Sequence, residues 1–222
     1  MYKIKDSAMF KRLSALIAIF LIVFSIPSIL HAQDSTDKEG LFMRLALGGG
    51  YGFSMSVDDI TDDEVRFASG ALALDIQLGY CPLPNLAFFV DLHSLAIPAG
   101  SVKYEKNGGS LGDGTIDKFA LAYNQSVGLG GMYYIYDFYG GIAVGYSFMY
   151  WKLPDGIPTA QSEFIPAGLL VSLMAGKDWR VSEDWALGVG LRFDYLYNSP
   201  FGSDDTTYTT LDVLAQFVIT YN

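Results

Sequence analysis

The chain has 222 residues with 14 Lys and Arg against 24 Asp and Glu, a formal charge of −10. So acidic a balance excludes the basic surface that phosphate binding needs, and with it nucleic acid as a partner. Cys81 is the single cysteine, which excludes an internal disulfide framework or a cysteine metal cage; beside Pro82 it reads as a small apolar filler. Fifteen Tyr, fifteen Phe and 24 Gly, with few helix-favouring charged residues, point to an all-β chain.

In chain order, Met1–Arg12 carries basic residues, Leu13–Leu30 is almost wholly apolar, and Ala32 precedes a polar run, Gln33–Gly40. This is the order of a cleavable secretory signal, with cleavage expected near Ala32–Gln33 and a short disordered segment over 33–40. A single membrane-anchoring helix is the alternative, and Pro27 argues against it. Removing residues 1–32 takes away four bases (Lys3, Lys5, Lys11, Arg12) and one acid (Asp6), moving the formal charge from −10 to −13.

From Leu41 the pattern has period two. The first strand is expected over Leu41–Ser54, with Leu41, Met43, Leu45 and Leu47 on one face and Arg44, Ala46 and Gly48 on the other. Met55–Arg66, holding Asp58, Asp59, Asp62, Asp63 and Glu64, reads as an exposed acidic loop. Its oxygen ligands suit calcium or magnesium, but the spacing D-D-x-x-D-D-E fits no dedicated calcium loop, so it reads as solvated. The second strand is expected over Phe67–Tyr80, a Pro-rich turn over Cys81–Asn85, and the third strand over Leu86–Ile97. Ala99–Ile116, rich in Gly and charge, reads as a long loop. Further strands are expected over Asp117–Met132, where Gln125 interrupts the apolar face, and over Phe138–Trp151. Tyr133–Asp137 forms a short turn between them, and Lys152–Glu163 a loop after them. The sixth strand is expected over Phe164–Gly176, followed by a charged turn, Lys177–Asp184.

Trp185–Tyr197 is the clearest example of the pattern. Trp185, Leu187, Val189, Leu191, Phe193 and Tyr195 share one face; Ala186, Gly188, Gly190, Arg192 and Asp194 share the other. The last strand, Thr209–Asn222, repeats it after a loop over Asn198–Tyr208. Eight strands with short and long connections in alternation predict an up-and-down antiparallel barrel. Every strand has an apolar side, broken at Gln125 in the fourth, while the other side is small or charged, with few Lys or Glu to solvate it. That assigns the greasy side to lipid and the other to a narrow lumen. Aromatics gather at strand ends (Tyr51, Phe53, Tyr80, Tyr133, Tyr134, Tyr136, Tyr150, Trp151, Trp179, Trp185, Tyr195, Tyr197, Tyr221), as interfacial girdles require.

In this strand pattern, this loop asymmetry and the alternating last strand Leu211–Tyr221, residues 41–222 resemble the small outer-membrane β-barrels of Gram-negative bacteria, in the style of OmpA, OmpX and OmpW. Members commonly end on Phe, and this chain ends Tyr221–Asn222. The resemblance implies an outer-membrane location among lipid and lipopolysaccharide, and delivery by the barrel-assembly machinery through the C-terminal strand.

The lumen charges are expected to be Arg44, Asp75, Asp91, His93, Lys118, Arg192, Asp194 and Asp212. Charges in a narrow barrel need partners or water. A symmetric turn at Cys81–Asn85 sets Asp75 across from Asp91 with His93 diagonal, and Arg192, Asp194 and Asp212 form a second cluster. Two readings follow. In the first, the charges pair into a network that holds the strands in register, and the protein has a structural or surface-interaction role. In the second, lumen Gly and Ala leave a watery path for a small solute or ion. A third reading is a lipid-modifying barrel enzyme. His93 is the only histidine after signal removal; Ser94 faces away from it, which leaves Ser126 on the next strand as the candidate nucleophile. No cofactor or catalytic metal is implied.

Overall fold

The computed structural model describes residues 39–58, 60, 63–106, 109–116, 119–152, 165–200 and 206–222. Among these residues ten strands form: β1 (Gly40–Asp58), β2 (Asp63–Leu83), β3 (Leu86–Ala99), β4 (Val102–Lys106), β5 (Gly109–Ile116), β6 (Ala120–Ile135), β7 (Phe138–Lys152), β8 (Ala167–Arg180), β9 (Trp185–Ser199) and β10 (Thr206–Tyr221). Eight of them, β1, β2, β3, β6, β7, β8, β9 and β10, pair antiparallel in sequence, and β1 closes on β10. Closure leaves no open edge in the ring, which is what hydrocarbon demands of a spanning sheet.

The pairing fixes the barrel's stagger. Stepping from partner to partner, Ala46, Asp75, His93, Ser126, Ser147, Gly168, Asn198 and Tyr208 lead back to β1 at Ser56, ten residues from the start. Eight strands with that offset tilt about 40° from the barrel axis, within the usual range. Short connections at Pro84–Asn85, Tyr136–Asp137 and Val181–Asp184 share one rim with both ends of the described chain. At this rim Asn222 N donates to Asp184 O at 2.9 Å, tying the last residue to a turn.

The expected faces hold. Leu41, Leu47, Leu72, Leu129, Phe148, Trp185 and Phe217 are among a continuous belt of exposed apolar side chains around the barrel. A belt of that extent would aggregate in water. The residues between them are buried.

Several expectations are overturned. Met55–Arg66 is not a long loop: β1 and β2 run on as a ribbon past the barrel wall to the partners Asp58 and Asp63, and Ile60 N is held by Asp58 Oδ1 at 3.0 Å. Alternation continues there, so Val65 is fully buried while Asp58, Asp63 and Glu64 stay half-exposed. Asp59 and Asp62 lie outside the described residues, as does Lys118. Ala99–Ile116 is not a loop either. It folds into the β4–β5 hairpin, and β4 pairs with the outer part of β2 at Glu64–Glu105 and Arg66–Lys103. Arg66 fastens this hairpin with ion pairs to Glu105 (2.6 Å) and Glu64 (3.1 Å). Lys177–Arg180 belongs to β8 rather than to a turn, which buries Asp178. Tyr134 and Trp151 do not join the girdles. Each shares parity with the lumen residues of its strand, and Trp151 Nε1 reaches Ser54 Oγ at 3.1 Å.

Candidate functional site

The lumen is built in three layers. Nearest the short-turn rim, Phe42, Phe89, Met132, Tyr134, Tyr139 and Met174 pack together. Nearest the other rim, Phe67, Leu95, Ile97, Val102 and Leu214 pack with Trp151. Between them lies a charged layer. Apolar side chains thus pack on both sides of the charged layer, where small residues alone suggest room for water. The missed signal was plain in the pattern: Phe42, Phe89, Leu95, Met132, Met174 and Leu214 all carry the parity of the charged residues. The lumen glycines serve this packing. A Cβ on Gly176 or Gly190 would collide with the Tyr139 hydroxyl, so glycine there lets the Tyr139 ring lean across the bore.

Arg192, at the midpoint of β9, is fully buried and anchors the charged layer. Its Nε donates to both Asp194 oxygens at 2.9 Å, and its Nη2 donates to Asp91 Oδ2 (2.9 Å) and Ser172 Oγ (2.7 Å). Its Nη1 lies 3.3 Å from Asp91 Oδ1 and 3.3 Å from Asp75 Oδ1. Gln77 Nε2 donates to Asp91 at 3.0 Å, Gln216 Nε2 to Asp75, and Ser172 Oγ to Asp194. His93 Nδ1 bonds Asp75, and its Nε2 stands 3.5 Å from Asp194 Oδ2. Asp212 is the direct strand partner of Asp194. The network therefore runs from the β2–β3 wall to the β8–β9–β10 wall and spans the bore. A planar guanidinium with five donors is suited to this, because it satisfies carboxylates from several strands at once.

Two details correct the expected pairing. Asp75 faces His93, and Asp91 faces Gln77; Asp75 and Asp91 are not partners. An irregularity between Tyr80 and Leu83 carries β2 on to Leu83 and moves the turn to Pro84–Asn85. The slip of two residues keeps every side chain on its face but changes its neighbour. Arg192, Asp194 and Asp212 are also not a separate cluster, since Arg192 is long enough to join them to Asp75 and Asp91 across a bore this narrow.

Arg44 stands apart, in the layer below. Its Nη1 donates to Asp178 Oδ2 (3.0 Å), Tyr134 Oη (3.3 Å) and Thr220 Oγ1 (3.4 Å), and its Cζ lies 3.9 Å from the Tyr139 ring centre. Tyr134 Oη and Thr220 Oγ1 also donate to Asp178 Oδ2. Asp178 and Tyr134 are partners the sequence pattern does not reveal, because the composition around each reads as a turn while both lie in strands.

The arrangement bears on the enzymatic reading. His93 and Ser126 are strand partners, but both imidazole nitrogens face carboxylates, and Ser126 Oγ has no hydrogen-bond partner among the described residues. The contacts of the imidazole are thus with carboxylates rather than with the serine hydroxyl.

A closed eight-stranded ring with an apolar outer belt and a charged interior defines a transmembrane β-barrel. Solved structures give this class a narrower frame, and it is the fold of the small Gram-negative outer-membrane barrels. The outer membrane protein OprG from Pseudomonas aeruginosa matches 85% of this chain and 99% of its own, at 13% identity and a TM-score of 0.50. Neisserial surface protein A (82% and 99% covered, 11% identity, TM-score 0.40) and the outer membrane protease OmpT from Escherichia coli (86% and 99%, 10% identity, TM-score 0.42) are also similar. No protein-family model matches the chain, and no curated protein matches it.

Proposed function

We propose that this chain is a sealed outer-membrane barrel whose role is structural or interactive, with its long-loop rim and the β4–β5 hairpin offered at the cell surface. Residues 1–32 direct export and are removed, and the C-terminal strand β10 engages the assembly machinery. Lipid and lipopolysaccharide surround the apolar belt. The observation that carries this reading is the Arg192 network, which joins opposite walls at mid-height between two apolar layers. An ion crossing the bore would have to break that network and pass packed Phe, Met and Leu side chains, each a desolvation barrier.

Conductance in planar bilayers tests the reading directly. The wild-type barrel is expected to insert, as judged by heat-modifiable gel mobility, and to give no unitary current steps in molar salt. Stable steps from inserted wild-type barrel would replace this role with that of a narrow channel.

A further inference from the structure

Lys177 is the exception on the outer wall. By the alternation of β8 it faces lipid, between Ala175 and Trp179, yet it is only 5% exposed. Its ammonium lies 5.0 Å from the centre of the Phe138 ring and 5.4 Å from that of Trp179. Phe138 is its strand partner and Trp179 its neighbour on the same face, so both rings stand beside the ammonium. Among the described residues its ammonium makes no ion pair; Asp178, the nearest acid on its strand, points inward and is committed to Arg44. The structure therefore presents a cation, nine-tenths covered, held against two rings and without a counter-charge.

Its height is informative. Ser172 sits in the mid-height charged layer, and Lys177 is five residues closer to the short-turn rim on the same strand. At about 3.3 Å per residue and a tilt of about 40°, that is about 12 Å below the middle of the barrel. The apolar band of such barrels is about 25 Å tall, so the ammonium lies at its lower edge, where lipid phosphates begin. The paired rings of Trp185 and Tyr221, 5.1 Å apart, mark the same interface on the adjacent strands. Among the described residues no other cation faces outward below mid-height.

We infer that Lys177, cradled by Phe138 and Trp179, is a binding site for the phosphate of an anionic glycerophospholipid in the inner leaflet of the outer membrane. The two rings hold the ammonium in place by cation–π attraction, and its positive charge is the counter-charge of an anionic lipid phosphate. A net-negative protein repels anionic lipid on average, so this contact is site-specific. The inference rests on the membrane-barrel reading. Insertion into phosphatidylcholine vesicles is therefore scored first for each variant, and failure of the wild type to insert is failure of that reading, not of this site.

The test compares wild type, Lys177→Gln, Lys177→Arg and, at the opposite rim, Lys103→Gln. Phosphatidylglycerol retained on the detergent-extracted barrel is counted by native mass spectrometry, with diacylglycerol as the phosphate-free control. Wild type and Lys177→Arg should retain phosphatidylglycerol over diacylglycerol. Lys177→Gln should lose about five-fold of that retention, as expected for one interfacial cation, and Lys103→Gln should not. Equal retention in wild type and Lys177→Gln overturns the site, as does equal loss in Lys103→Gln. A wild-type measurement guards against misfolding of the variant. Headgroup spin-labelled phosphatidylglycerol should quench tryptophan fluorescence more than the phosphatidylcholine analogue, and equal quenching overturns the site.

Discussion

Replacing Arg192 with Met keeps much of the side chain's bulk and removes its charge. The guanidinium bonds Asp194, Asp91 and Ser172 and lies 3.3 Å from Asp75. Without it those three carboxylates, together with Asp212 opposite Asp194, crowd a buried layer in which, among the described residues, His93 is the one remaining group able to carry positive charge. Breaking a buried ion pair by removing one partner costs about 3–5 kcal/mol, because the other charge is left uncompensated. Apolar side chains pack above and below this layer, which limits screening by water. The assay is urea unfolding of the barrel in phosphatidylcholine vesicles, followed by tryptophan fluorescence and by heat-modifiable mobility. Arg192→Met should lose about 3–5 kcal/mol. Adding Asp91→Asn to it should restore about 0.5–3 kcal/mol, the usual coupling of contacting residues. A loss under about 1 kcal/mol for Arg192→Met would refute the reasoning, since that is the range of a solvent-screened pair.

Three further outcomes follow from the same geometry. Asp212→Asn should leave stability unchanged or raise it by about 1–2 kcal/mol, because an amide offers Asp194 a donor in place of a like charge; urea unfolding that shows a clear loss would contradict this. Arg44→Met should destabilise additively with Arg192→Met, to within about 0.5 kcal/mol, because the two clusters share no hydrogen-bond partner; a larger deviation in the double-mutant cycle would mean the layers act as one. Replacing residues 100–119 with Asn-Gly should keep a heat-modifiable barrel, since Ala99 and Ala120 are already strand partners and β4–β5 lies outside the ring. The cost should be about 2 kcal/mol, mostly for the buried Val102, and loss of the folded gel band would show the hairpin to be essential.

What could be read in the residues themselves was which way each side chain points. Strand alternation is local, so Arg44, Asp75, Asp91, His93, Arg192, Asp194 and Asp212 were placed inward by parity alone, and all of them lie there. The number of strands in the ring and the rim with short turns were equally local, being set by apolar runs and turn residues. Less legible were strand lengths beyond the wall. The acids of 58–64 and the glycines of 100–116 look like loop composition, yet both stretches pair as ribbons, because paired strands outside the membrane need no apolar face.

The partners came only with the closed barrel. Parity survives a shift of two residues, so it cannot distinguish Asp75 opposite Asp91 from Asp75 opposite His93; the irregularity before Leu83 decided that. Nor can alternation tell that Arg192 on β9 meets Asp75 and Asp91 on β2 and β3, or that Arg44 on β1 meets Asp178 on β8. Those contacts cross the bore between strands far apart in sequence, and they depend on the ten-residue stagger and the narrow diameter it sets. The chain's own pattern determined the faces. Ring closure, a property of all eight strands together, decided which charge answers which.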